Sequence, residues 1–224
     1  AAADEDQVLG APVRERLRRW RPFAVALTVL LAVALLTSWT RPATSSAPLA
    51  ATNPGDDGAQ ALAALLHDEG VSVTTVTSVD DAVAASSQQH ATVALVNAGS
   101  LSTADRKRLA AAGGDVTIIG STYQSLTGLT DLTPTGASAG TGTALSAQCE
   151  DHDAAAAATL RGSKGAVTVD GVPGAVGCFP VKDDAYAYAT APLSSGAVLR
   201  VVADRGALTN ARLATAGEAA LGVR

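Results

Sequence analysis

Aromatic side chains make up only 3% of this sequence, and methionine is absent. A core built from such a chain rests on Ala, Val and Leu rather than on aromatic rings, and the initiator residue is expected to have been removed. Charged residues are also sparse at 17%, yet 47% of residues are hydrophobic, which excludes a disordered chain. Between Arg41 and Arg106 there is no Lys or Arg at all. Ala1 to Arg41 carries a net charge of +2, whereas everything from Pro42 onward carries −7. Without a basic stripe to neutralise phosphates, a nucleic-acid partner is excluded.

Charge is missing altogether from Pro22 to Thr40 in "WRPFAVALTVLLAVALLTSWT". Between Trp20 and Trp39 a helix rises about 28 Å, close to the thickness of a bilayer's hydrocarbon core. The two tryptophans then fall at the two interfaces, and Pro22 falls in the first turn. A core helix would show a polar face, and none is present. Arg14, Arg16, Arg18, Arg19 and Arg21 precede the run and only Arg41 follows closely. The positive-inside rule therefore places residues 1–19 in the cytoplasm as a basic tail, 20–40 across the membrane, and the rest outside the cytoplasm. A cleaved signal peptide is the competing reading, with "SSA" at 45–47 as its cleavage site, although the run is longer than the usual apolar region. No Cys follows the run, so a lipoprotein is excluded.

Residues 41–56, rich in Pro, Ser, Thr and Gly, read as a tether. The extracytoplasmic domain is expected over 57–224. It opens with a helix over 57–69, which stops at Gly70. "VSVTTV" (71–76) alternates and is β-branched, as a strand does. Ser78 and Ser102 begin capping boxes, "SVDD" and "STAD", each of which starts a helix. "ATVALVN" (91–97) and "DVTIIG" (115–120) have the near-continuous apolar character of strands buried on both faces. A helix is expected over 122–129. This alternation predicts an α/β fold, flavodoxin-like or Rossmann-like, with a mostly parallel sheet. The Gly/Ser/Thr stretch 132–147 reads as a loop or a weakly paired edge. Four short strands after it predict an antiparallel C-terminal extension, closed by a helix over 209–221.

Only two cysteines occur, Cys149 and Cys178. Outside the cytoplasm they favour a structural disulfide over a catalytic thiolate, which would need a neighbouring base. "CEDHD" (149–153) offers Glu150, Asp151, His152 and Asp153 as metal ligands. Contiguous ligands rarely converge, however, and acids opening an Ala-rich helix are explained by its dipole.

Taken together, the basic head and single span, "NPGDDGAQALAALLHDEGVSVTTV", "GCF" and "DRGALTNARLATAGEAAL" resemble an actinobacterial membrane-anchored family known as domain of unknown function 4350. The resemblance implies a fold related to class I glutamine-amidotransferase-like domains. It also implies partners among other membrane proteins and a cytoplasmic MoxR-type ATPase system. Members often continue into a second span, whereas this sequence stops at Arg224.

In the amidotransferases the nucleophile stands in a Gly-x-Cys-x-Gly elbow. In "DVTIIGSTYQSL", Gly120 matches the first glycine, Thr122 falls at the cysteine and Gln124 replaces the second glycine. A hydroxyl there also needs a base. Only His67, His90 and His152 exist, and none lies in the late His-x-Glu pattern of those enzymes. Ser121 or Thr122 is expected instead to cap the following helix. "GTGTAL" lacks the Lys of a phosphate loop, so no cofactor or metal is expected.

The leading expectation is thus a non-catalytic extracytoplasmic domain on a single-span anchor, serving protein assembly or ligand sensing. Its ligand-facing surface is placed at the carboxyl edge of the parallel strands, around Asn97, Ser100, Ser121 and Thr122. The competing readings are an amide or ester hydrolase using Ser121 or Thr122, and a small-molecule receptor.

Overall fold

The computed structural model describes residues 11–40, 44–88, 91–214 and 217–223. His90 lies outside them, and in the first helix side chains are described from Trp20 to Thr37 only, so the expected interfacial place of Trp39 also lies outside. The chain divides into two units, Ala1–Ala43 and Thr44–Arg224.

The first unit contains one helix, α1 (Ala11–Thr40). Its segment Trp20–Thr37 is long and apolar enough to cross a membrane, and none of that segment is buried. The helix starts nine residues before Trp20, so Pro22 stands inside it rather than in its first turn. There the missing N–H removes one i→i−4 bond. The Thr28 and Thr37 hydroxyls donate to the carbonyls of Ala24 and Ala34, which satisfies two polar groups within an apolar run.

The second unit is a mixed α/β body. Its helices are α2 (Gln60–Asp68), α3 (Val79–Ser86), α4 (Thr103–Ala111), α5 (His152–Ala157), α6 (Asn210–Leu213) and α7 (Glu218–Val223). Its strands are β1 (Thr92–Val96), β2 (Asp115–Ile119), β3 (Thr133–Ser146), β4 (Thr159–Thr168), β5 (Val176–Lys182), β6 (Ala185–Pro192) and β7 (Val198–Val202). The sheet runs β1-β2-β7-β6-β4-β3, with β5 also paired to β6. β1, β2 and β7 are parallel, in the registers Val93↔Val116 and Ile118↔Val201. The pairs β6/β7, β5/β6, β4/β6 and β3/β4 are antiparallel. A sheet with parallel and antiparallel parts, preceded by an apolar helix, is what the sequence pattern anticipates.

Alternation along the strands divides the core into two clusters. Val116, Ile118, Leu199 and Val201 pack with Leu109 and Leu126 in one. Ile119 and Val202 pack with Leu160, Phe179, Tyr188 and Leu208 in the other. β2 and β7 therefore feed both layers. β1, at the sheet edge, buries only the face of Val93 and Leu95 and leaves Thr92, Ala94 and Val96 exposed, so it is not covered on both faces as its apolar run suggests.

Four local expectations change. Residues 44–58 are folded rather than a free tether. Leu49 is buried, its N–H donates to the Asp57 carbonyl at 2.8 Å, and the Asn53 amide donates to the Ala47 carbonyl at 3.0 Å. The body therefore begins by Thr44 and not at residue 57. "VSVTTV" forms no strand, and Val71, Val73 and Val76 are exposed; β-propensity without a cross-strand partner gains little. The helix expected over 122–129 is replaced by turns. The closing helix is replaced by two short ones, α6 and α7; Asn210, which opens α6, donates to the carbonyls of Asn53 and Gly55 and accepts from the Ala61 N–H, and the Gly217 N–H just before α7 donates to the Thr159 carbonyl. The stretch 132–147 contains β3, an edge strand whose pairing with β4 shifts register twice.

Candidate functional site

The carboxyl ends of β1, β2 and β7 lie side by side, and the turns after them form one continuous edge. After β1, Asn97 adopts a left-handed conformation (φ 69°), and its carbonyl accepts from both the N–H and the hydroxyl of Ser100. After β2, the N–H groups of Gly120 and Ser121 continue the pairing with β7 by donating to the carbonyls of Val202 and Ala203. The Gln124 side chain then accepts from the Gly99 N–H at 2.8 Å, which ties the two turns together.

The four sequence-selected residues do come to this edge, but they are not equivalent. Asn97 and Ser100 are exposed. Ser121 is fully buried, and its hydroxyl has no hydrogen-bond partner. The Thr122 hydroxyl donates to the Lys164 carbonyl at 2.8 Å, with the Ala203 carbonyl at 3.5 Å. No helix begins there for either hydroxyl to cap. The strained residue of this turn is Tyr123 (φ 57°), one position beyond Thr122.

Sequence reasoning missed Tyr123, Gln124, Lys164 and Arg205, which complete this edge. A Cβ on Gly120 (φ 79°) would lie 2.7 Å from the Arg205 Cβ, so the turn after β2 sits directly on the start of the segment after β7. The only sequence signal was the Gly120 position itself, since the other residues arrive from distant elements.

Two ionic clusters flank the sheet. Arg200 on β7 pairs with Asp115 at the start of β2 and with Asp153 on α5, each at 2.8 Å. Asp115 also accepts from the Val198 N–H at 2.9 Å. Burial opposes the Arg200 charge, yet the two carboxylates hold its pKa above the ordinary value. Burial likewise works against the Asp115 carboxylate, but the Val198 N–H and Arg200 outweigh it and leave its pKa below normal. In the second cluster Arg212 bridges Asp204 and the fully buried Glu218, and it also donates to the Arg161 carbonyl. Breaking such pairs strands a charge, so both clusters read as clamps between elements.

The residues of "CEDHD" have other duties. Asp151 caps α5 by accepting from the Ala154 N–H, Asp153 holds Arg200, and His152 is exposed. Among the described residues no group of three His, Cys, Asp or Glu side chains converges to hold a metal. Cys149 is joined to Cys178 on β5, with Cα atoms 5.4 Å apart.

Surface grooves lie elsewhere. One of about 640 Å³ runs along the amino ends of β1 and β2 past Ser87, Gly113 and Asp115. Another of about 710 Å³ separates α2 from α7 and is lined by Leu65, Val71 and Val223.

No curated protein and no solved structure matches the chain significantly. The profile of a family described as Domain of unknown function (DUF4350) matches residues 51–224, the whole of α2 to α7, and the protein belongs to that family.

Proposed function

We propose that this protein is a single-pass membrane protein whose extracytoplasmic α/β body recognises a partner or ligand without catalysing a reaction. The observation that carries the non-catalytic reading is the fate of the two candidate nucleophiles. Ser121 is enclosed and its hydroxyl meets no hydrogen-bond partner among the described residues, and the Thr122 hydroxyl is spent on main-chain carbonyls. A nucleophilic hydroxyl needs a proton acceptor within hydrogen-bond reach, and a carbonyl oxygen does not serve.

The anchor reading is supported by α1 and by the five arginines clustered before the apolar run, with one after it. The recognition surface is the carboxyl edge of the parallel strands, where open α/β sheets place their ligands. Family resemblance favours other membrane proteins and a MoxR-type ATPase system as partners in envelope assembly or sensing.

Protease added to intact cells tests the topology. Removal of the body, with Cys149 and Cys178 resistant to alkylation, supports the reading; a body that survives with free thiols overturns it. A fluorophosphonate probe tests catalysis. Labelling that is abolished in Ser121→Ala or Thr122→Ala would restore the hydrolase alternative.

A further inference from the structure

Tyr123 combines two features that are unusual in one residue. Its backbone lies at φ 57°, a left-handed conformation that bulky residues rarely adopt. Its side chain is 82% exposed. The ring reaches across to β3 at Gly136, where an added Cβ would fall on the Tyr123 hydroxyl. Glycine at this position is what lets the ring lie against the strand. The strand beneath contributes Ser138, which is exposed and stands opposite Lys164 in the β3/β4 register.

Two cations flank this ring's turn. The Lys164 carbonyl is fixed by the Thr122 hydroxyl, and the Arg205 Cβ packs where a side chain on Gly120 would be. Both residues are exposed, and no acidic side chain among the described residues pairs with either. The neighbouring carboxylate, Asp204, is already taken by Arg212. Unpaired positive charge at one edge of a body that is net acidic marks that edge for an anion.

We infer that Tyr123, together with Lys164, Arg205 and Ser138, forms a binding site for an acidic saccharide. The exposed ring supplies an electron-rich face for the C–H bonds of a pyranose, Lys164 and Arg205 meet the carboxylate, and Ser138 is available to a sugar hydroxyl. Arg205 offers a planar fork suited to a carboxylate, and Lys164 a point charge. Asn97 and Ser100, exposed on the adjoining turn and held to it through Gln124, extend the same edge toward further sugar units. This inference rests on the recognition edge proposed above and gives its ligand a chemical class.

The full chain in detergent micelles is titrated calorimetrically with D-glucuronate and a short oligogalacturonate, and separately with D-glucose and inorganic phosphate. Saturable binding of a uronate, about tenfold or more tighter than of glucose or phosphate, is expected. Tyr123→Ala and Arg205→Gln should each weaken it about tenfold or more, and Tyr123→Phe should retain it. The side chains changed are exposed, so unaltered thermal transitions will separate lost binding from lost folding. No uronate binding, uronate binding untouched by these substitutions, or phosphate binding equally well without need of Tyr123 would each overturn the inference. Protease shaving of the same protein in cells reports topology independently, so failure of the saccharide site alone leaves the anchored-domain reading intact.

Discussion

The Gln124 side-chain carbonyl accepts a hydrogen bond from the Gly99 backbone N–H at 2.8 Å, across 25 residues of chain. It joins the turns that follow β1 and β2. Truncation by Gln124→Ala leaves the Gly99 N–H to solvent and frees the two turns from each other. The expected loss is about 1 kcal/mol, the ordinary net value of one such bond at a solvated position. Urea unfolding monitored by circular dichroism should show a lower midpoint with an unchanged slope, because the surface exposed on unfolding hardly alters.

How far the sequence foretold this edge depends on the range of the interactions that make it. The starts of α3 and α4 are local events and were legible. Ser78 and Ser102 each accept from the N–H three residues on and meet the carboxylate of Asp81 or Asp105. The apolar runs of β1 and β2 were equally plain; β2 is covered on both faces, whereas β1 is an edge strand that leaves Ala94 and Val96 exposed. The 122–129 segment misled because Leu126 and Leu129 have helical spacing and are both buried. Its backbone, however, is set by Tyr123 at positive φ and by bonds to Gly99 and Lys164. "VSVTTV" misled for the opposite reason, since its alternation is genuine but pairs with no strand. For the site, strand ends pointed to Asn97, Ser100, Ser121 and Thr122. Lys164 and Arg205 reach it from β4 and the segment after β7, and no local pattern announces that.

Arg200 holds the start of β2 and α5 to β7 through Asp115 and Asp153. Arg200→Met leaves both carboxylates without their cation, and the cost is about 3 kcal/mol, the lower end for buried pairs because this cluster is partly solvated. The Asp115 pKa lies below its ordinary value, so the unfolded chain takes up that proton first as pH falls. Its stabilisation is therefore fully present above the unfolded carboxylate range near pH 4 and is lost as pH drops through the lower folded value. Wild type should lose stability steeply below about pH 4, and Arg200→Met should lose less over that interval because it has less to give up. Denaturation midpoints measured between neutral and acidic pH check both statements.

Cys149 and Cys178 close a loop of sequence separation 29 that contains α5 and β4. In the chain-entropy model such a link stabilises by roughly 3–4 kcal/mol. The sulfur of Cys178 is buried against Phe179 and Tyr188 in one core layer, so reduction also leaves two thiols in an apolar setting. Dithiothreitol should lower the thermal midpoint of wild type and leave a Cys149→Ala/Cys178→Ala variant unmoved. Equal midpoints for oxidised and reduced wild type would show that the link contributes nothing.

Tyr188 is almost wholly enclosed beside Arg200, and its hydroxyl reaches no partner in hydrogen-bond geometry. Burial, reinforced by the nearby Asp151 and Asp153, pushes the phenol's pKa well above its ordinary value. The unfolded chain ionises near pH 10, before the folded one, so the stability contributed by this group is intact below that pH and disappears as pH climbs toward the raised folded value. Tyr188→Phe removes the phenol and, with it, a buried polar atom that makes no hydrogen bond of good geometry among the described residues. At neutral pH the variant should be at least as stable as wild type, by up to about 1 kcal/mol, since the ring and its packing remain. Above pH 10 its advantage should widen, because only the wild type gains from ionising in the unfolded state. Paired urea titrations at neutral pH and near pH 11 will read both effects. A Tyr188→Phe variant weaker than wild type at neutral pH would mean that the hydroxyl does find a partner, and Arg200 is the group in place to provide it.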